Sequence, residues 1–160
     1  TTVSLDTTSQ PKSVLVDLLI DSLPEPGDAL GPIETVSLTW EHRSRPRRRC
    51  FTDKGKEIAL ALPRGTVLNN GTLLHNTEKR TVKVVAAPED VLVIHPDSKL
   101  QMCLIAHHLG NWHRSVQLED DGALIIEIDE PLLKWLEFRK IQFERSTRPY
   151  HPNLKGAAHD

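Results

Sequence analysis

The chain has 160 residues, of which 38% are hydrophobic and 26% are charged, and its formal net charge at pH 7 is −2. This composition can bury a core and excludes a disordered chain, and the small net charge argues against non-specific binding of nucleic acid or membrane by the whole surface. Cys50 and Cys103 form no CxxC pattern, so neither a zinc knuckle nor a disulfide framework is indicated. Both lie among apolar residues, where a free cysteine is typically a small buried hydrophobe in a reducing compartment.

Residues 1–88 predict a β-rich N-terminal domain, in which the polar segment 1–12 is expected to be disordered. That segment lacks the basic and apolar regions of a signal peptide, and no stretch approaches the roughly 18 apolar residues of a membrane span. We therefore expect a cytoplasmic protein without a membrane segment. Turns at 53–55 and 69–71, part of a series spaced every 8–12 residues, are typical of a small barrel or sandwich. The candidate strands are 14–20, 36–40, 57–62, 64–68, 72–75 and 81–86.

Residues 89–147 predict a second domain with the order β-α-β-β-α-β, which is that of a ferredoxin-like fold. Its first helix is expected to begin at a cap, Asp97 or Ser98, and to end at Gly110. Pro131 marks the start of the second helix. The candidate strands are 91–95, 115–118, 123–128 and 141–143. The fold class is therefore α+β, and residues 148–160 are expected to form an open, mobile tail.

The first helix of this second domain carries two apolar stripes and is expected to be buried on more than one side. The stripes consist of Leu100, Cys103, Leu104 and His107, and of Met102, Ile105, Ala106 and Leu109.

Histidines cluster at the end of that helix, and neutral imidazole is a good ligand for nickel, copper, zinc and iron. His107 continues an apolar stripe and is expected to be a core histidine, whereas His108 faces another side and can be either a ligand or a packed residue. His113 lies beyond the helix and is the best candidate ligand. His151 and His159 lie in the predicted tail, where a flexible histidine can close over a metal or be inert.

One chain offers too few ligands for a closed site, because it has no histidine-rich tract, no HExxH motif and no cysteine cluster. If His113 binds a metal strongly, further imidazoles must come from elsewhere. A two-fold dimer supplies them, because a residue near the axis meets its own copy.

The basic run from His42 to Arg49 supports a different class of function. It can grip phosphates, which makes a peptide- or nucleic-acid-binding adaptor built on the β domain the alternative to a metal carrier. It can equally be a solvated strand edge, where arginine and Pro46 discourage pairing with other strands. A metal-dependent hydrolase is a third hypothesis, but no activating carboxylate is evident beside His113.

Three motifs resemble the UreE family of urease accessory nickel metallochaperones. The segment Ala61–Leu68 (ALPRGTVL) is similar to a strand motif of that family, and Val84–Glu89 (VVAAPE) is similar to its interdomain segment. His108–His113 (HLGNWH) resembles its helix-end motif. The resemblance extends from about Val36 to Phe143. Trp112 departs from the family arginine, and Glu127-Ile128-Asp129 stands where some members carry a His-x-His pair.

The resemblance implies a homodimer formed through the ferredoxin-like domain, with one nickel ion held between two copies of His113 and with His151 completing the shell. His108 and His159 are secondary candidates, and Gly110, Asn111 and Trp112 are expected near the dimer interface. Cu²⁺ or Zn²⁺ can substitute for nickel in vitro. The implied partners are the urease-maturation GTPase and apo-urease, dimers can pair further, and neither catalysis, membrane binding nor nucleic-acid binding is expected.

Overall fold

A computed structural model describes residues 14–16 and 29–156 of the chain, which divides into two compact units, Thr1–Ala86 and Ala87–Asp160. None of the helices in the described ranges is long and apolar enough to cross a membrane. The chain combines helices with strands in an α+β architecture, as the sequence predicts.

The described residues of the first unit form two three-stranded sheets and a short helix. One sheet has the order β1-β4-β3 and the other has the order β2-β6-β5. In each sheet the first strand runs parallel to the central strand, and the remaining strand runs antiparallel to it. The elements are β1 (Val14–Val16), β2 (Ile33–Leu38), α1 (Trp40–Arg43), β3 (Arg47–Phe51), β4 (Glu57–Ala61), β5 (Leu73–Thr77) and β6 (Arg80–Ala86).

A single apolar core joins the two sheets of the first unit. Ile58 and Leu60 of β4 alternate inward and belong to the same buried cluster as Val82 and Val84 of β6. Period-two alternation of buried and exposed residues is what a half-buried strand requires. Cys50 is buried in this core, as the sequence predicts.

The predicted strand 64–68 is wrong, because this segment is a loop. The N–H of Thr66 donates to the carbonyl of Pro63 in a turn (3.1 Å), and Gly65 has φ of +87°. Leu68 is buried and donates its N–H to the carbonyl of Arg43 at the end of α1. The apolar pattern therefore reflects a loop that is fixed to the core. Of the predicted strand 14–20, residues 17–20 lie outside the described ranges.

Glu34 is a buried carboxylate with two cationic partners in the first unit. Its side chain is 2% exposed, and it accepts hydrogen bonds of 2.8 Å from the Lys56 ammonium and from the Arg80 guanidinium. Burial alone raises the pKa of a carboxyl group, but the hydrogen bonds from Arg80 and Lys56 outweigh burial and lower the pKa of Glu34 to about 2.

The second unit is a four-stranded antiparallel sheet of order β10-β7-β9-β8 with two helices. This is the strand order of a ferredoxin-like fold. Its core cluster contains Leu92, Ile94 and Ile126 from the sheet together with Ile105 and Leu136 from the helices. The elements are β7 (Pro88–His95), α2 (Lys99–Asn111), β8 (Gln117–Leu118), β9 (Leu124–Glu127), α3 (Glu130–Phe138) and β10 (Gln142–Pro149).

Helix α2 begins at Ser98, one of the two predicted caps, but differs from prediction in its burial and in its end. The Ser98 hydroxyl accepts the N–H of Gln101 at 3.1 Å. Only Ile105 and Leu109 are buried within the helix, so the expectation of burial on several sides is wrong for the single chain. The sheet covers one side of α2, and both Cys103 and the strongly exposed Leu100 face away from it. The helix also continues beyond Gly110 to Asn111.

Residues 148–156 are packed rather than open, which corrects the predicted tail over this range. Strand β10 continues to Pro149, and the buried Tyr150 donates its hydroxyl to the carbonyl of Ser115 at 2.6 Å. Leu154 then pairs with Val116 in an antiparallel bridge. These contacts join segments about 35 positions apart, so local sequence pattern could not predict them.

Candidate metal-binding site

His113 stands at the point where α2 ends. The helix closes with a Schellman motif, in which the N–H of His113 donates to Gly110 (3.0 Å) and the N–H of Arg114 donates to Leu109 (3.1 Å). The residue after the cap of such a motif takes the left-handed conformation, and His113 does so with φ of 55°. Glycine is the usual residue there, since other L-residues are strained by about 1 kcal/mol. His113 is also exposed, so its imidazole is carried past the helix on a fixed turn.

A cavity of about 170 Å³ lies beside His113. Its lining combines buried apolar residues of the unit, such as Leu109 and Leu124, with the packed segment that ends at Gly156. A Cβ atom on Gly156 would lie 1.9 Å from the carbonyl oxygen of His113, so only glycine fits at this contact. The wall formed by residues 154–156 was not anticipated from the sequence, because it depends on contacts such as that of Gly156 with Ser115 across 41 positions.

The positive charge of Arg114, the residue after His113, is balanced by a carboxylate. The Arg114 guanidinium forms an ion pair with Asp129. Asp129 is also the cap of α3, since its other carboxylate oxygen accepts the N–H of Leu132 at 2.7 Å. Both carboxylate oxygens of Asp129 are therefore engaged, one by Arg114 and the other by the first turn of α3.

His108 occupies an aromatic environment instead of a ligand-like one. Its ring stacks on Trp135 with centroids 3.7 Å apart and planes 5° apart, and it contacts Trp112 at 4.1 Å with a tilt of 52°. Nε2 of His108 is buried without a hydrogen-bond partner. Burial, followed by the neighbouring Arg139 and His107, lowers the pKa of His108.

His107 is exposed, so the expectation that it is a core histidine is wrong. The residue that packs is its neighbour, since the buried face of α2 follows Ile105 and Leu109 and passes His108 rather than His107.

The remaining predicted site residues fall at several places in the second unit. His151 is half-buried and donates its backbone N–H to the Gln117 side chain at 2.9 Å. Gly110 and Asn111 are exposed at the end of α2, and His159 lies outside the described ranges. Over residues 14–16 and 29–156, no three side chains of His, Cys, Asp or Glu come together in a group that could hold a metal ion.

The last three residues of the basic run, 47–49, lie on β3, which is an edge strand of its sheet among the described residues, whereas Arg43 is buried at the end of α1. Arg47 and Arg49 are exposed on this strand. Arg49 pairs with Glu57 at 3.1 Å, and Arg45 forms an ion pair with Glu41 in the preceding segment. This is the arrangement expected for a solvated strand edge.

Two sequence profiles match the chain. One is described as UreE urease accessory protein, N-terminal domain, and matches residues 19–87, while the other is described as the C-terminal domain of the same family and matches residues 89–160.

Curated relatives with the same name are similar to this chain. The urease accessory protein UreE of Deinococcus radiodurans is 41% identical over 121 residues, which cover 76% of this chain and 77% of the relative. The protein of the same name from Burkholderia ambifaria is 36% identical over 74% of this chain, and that from Ralstonia nicotianae is 41% identical over 69%. The aligned regions cover only 58% and 52% of those two relatives.

Proposed function

This chain belongs to the UreE urease accessory protein family, and from that premise we propose that it is a nickel-binding chaperone for urease assembly. It binds Ni²⁺ as cargo and catalyses no reaction itself. Two chains form a homodimer through their second units, and one ion lies between the two copies of His113. The recipients are the urease-maturation GTPase and apo-urease in the cytoplasm, and dimers can associate further.

The observation that carries this proposal is the incomplete ligand set around an exposed, fixed imidazole. His113 stands clear of its own helix, and no set of three metal-binding side chains assembles within the described part of one chain. A second copy related by a two-fold axis doubles the number of imidazoles. A shell that is completed between subunits also suits a carrier, because separating or replacing one ligand releases the ion.

The surface near His113 supports contact with a second copy. Ala106 and Gly110 lie on the same side of α2 as the cavity beside His113, and both are exposed. Leu154, which lines the same cavity, is 50% exposed. Small residues on a helix permit close approach of a partner, and the exposed apolar side chain gains free energy when it is covered.

The packed segment 150–156 bears on which tail histidine completes the shell. It leads from His151 to Gly156, which contacts the carbonyl of His113. His159 follows Gly156 by three residues, and three residues span at most about 10 Å. We propose His159 beside His151 as the additional ligand.

The choice of metal follows from the ligands. Imidazole binds Ni²⁺, Cu²⁺ and Zn²⁺, and Cu²⁺ is expected to bind at least as tightly as Ni²⁺ in the same site. Selectivity for nickel must then come from supply and from the protein partners. Because imidazole must be deprotonated to bind, acidification weakens the complex.

Calorimetric titration of Ni²⁺ into the wild-type chain, His113→Ala and His95→Ala tests the proposal. The wild type and His95→Ala, which changes a half-buried histidine that faces Glu144, should bind with equal affinity. His113→Ala should lose at least roughly a hundredfold in affinity, as expected when two ligands of one shell are removed together. An unchanged isotherm for His113→Ala would rule the interface site out.

A peptide-binding adaptor is the second candidate, and it is favoured by the outer face of sheet β1-β4-β3. Leu15, Ala59 and Arg49 form one row across the three strands. Leu15 and Phe51 are 63% and 64% exposed. An acidic, apolar peptide would fit this face, and a double substitution of Arg47 and Arg49 by Glu should abolish salt-sensitive peptide binding while leaving nickel binding intact.

A further inference from the structure

Cys103 and His107 lie one helical turn apart on the uncovered side of α2. Residues four positions apart on a helix are neighbours on one face, with Cβ atoms about 5–6 Å apart. The buried face of this helix carries Ile105 and Leu109, and both Cys103 and His107 are exposed. Cys103 is a free thiol.

A thiol and an imidazole at this spacing match the reach needed to share one ion. Typical Zn–S and Zn–N bonds are about 2.3 and 2.0–2.1 Å long, and pairs of ligands four residues apart on a helix are an established geometry for binding zinc. Thiolate and imidazole together favour Zn²⁺, Ni²⁺ and copper over Mg²⁺ or Ca²⁺. Binding releases the thiol proton to solvent as the sulfur–metal bond forms.

We propose that Cys103 and His107 form a two-ligand site for a divalent transition-metal ion on α2. The remaining coordination positions are filled by water or by side chains of another protein. Because only two ligands come from the chain, the ion is held loosely and exchanges readily.

The position of this pair relative to His113 gives it a role, which rests on the proposed function. His107 lies one turn before the end of α2 at Asn111, which is about 6 Å along the axis at a rise of 1.5 Å per residue, and His113 follows two residues later. Leu100, one turn before Cys103, is 82% exposed and provides an apolar contact beside the pair. A metal-donating or metal-accepting protein that covers Leu100 would therefore meet the ion at Cys103 and His107, close to the carrier site.

Protection of the Cys103 thiol from Ellman's reagent tests the site in the full-length native protein. Cys50 is buried and serves as an internal unreactive thiol. At Co²⁺ or Ni²⁺ ten times above the dissociation constant, about one site in eleven is free, so modification of Cys103 should slow roughly tenfold. Bound Co²⁺ should also give a thiolate charge-transfer band in the near ultraviolet, which Cys103→Ser abolishes.

The controls separate this pair from the interface site. His107→Ala should abolish both protection and the band, whereas His95→Ala should keep both. His113→Ala should also keep both even though it removes the interface site, so the two proposals can fail independently. A Cys103 thiol that is unreactive in the metal-free protein, or protection that survives in His107→Ala, would overturn the inference.

Discussion

Two polar centres of this chain, one in each unit, are built in opposite ways. Glu34 in the first unit is buried with both of its cationic partners supplied by the same chain. His113 in the second unit is exposed and held in a left-handed turn, and it belongs to no group of three metal-binding side chains in the described part of that chain. A centre that is complete within one chain stabilises folding, whereas an incomplete one is available to a metal ion and to a second subunit.

Glu34→Gln should produce the largest loss of stability. Removing the charge from a buried ion pair leaves its partners uncompensated and costs about 3–5 kcal/mol. Urea denaturation measures this loss, and nickel affinity should stay unchanged. Glu57→Gln is the matched control, because the pair of Glu57 with the exposed Arg49 contributes about 1 kcal/mol or less. Equal losses of unfolding free energy from the two substitutions would contradict the difference between the buried Glu34 and an exposed ion pair.

Acid should remove the same contribution in the wild type. The pKa of Glu34 is about 2 in the folded chain and 4.5 in the reference state, so the unfolded chain binds more protons between these values. The stabilisation is therefore fully present above pH 4.5 and is lost as the pH falls towards 2. Urea midpoints measured across this range should decline more steeply for the wild type than for Glu34→Gln. Parallel curves would show that Glu34 does not carry the effect.

His108→Ala tests the difference between the packed His108 and the exposed His107. It removes the ring that stacks on Trp135 and should cost about 1–2 kcal/mol, whereas His107→Ala, at an exposed position, should change stability by less than about 0.5 kcal/mol. Thermal unfolding with a chelator present measures both. Because the pKa of His108 is lowered in the folded chain, its contribution is present above the unfolded value and declines as the pH falls below it. A larger effect at His107 would contradict the stacking of His108 on Trp135.

Two substitutions at His113 separate backbone strain from metal binding. His113→Gly should be more stable than His113→Ala by about 1 kcal/mol, since glycine adopts the observed φ of 55° without strain. Both variants should lose the proposed nickel site. Unfolding midpoints of the metal-free proteins give the difference, and an Ala variant as stable as the Gly variant would argue against the left-handed turn.

Local rules predicted the features that depend on short stretches of sequence. The fold class and the start of α2, which the sequence places at Asp97 or Ser98, follow from propensity and capping chemistry. The end of α2 does not follow from local rules. Packing of Leu109 carries the helix past Gly110 and leaves His113 as the left-handed residue. Turn propensity pointed to Gly110 as the end of the helix, but tertiary contacts place His113 in the left-handed conformation.

The candidate site was predicted only in part, for a related reason. His113 was recognised from its position beyond a helix, which is a local feature. The wall formed by residues 154–156 depends on pairing with Val116 and Ser115 across about 40 positions, and no short motif encodes it. The exposure of Cys103 and His107 was missed because an apolar stripe predicts burial, and the pattern cannot tell which side of a helix the sheet covers.

The number of nickel ions bound by each assembly shows whether two chains share one site. Native mass spectrometry of the wild-type chain, loaded with Ni²⁺ just above the affinity of its tightest site, should show dimers that carry one ion and monomers that carry none. Monomers that each hold a tightly bound ion, or dimers that bind one ion for every His113, would contradict a site shared between two chains.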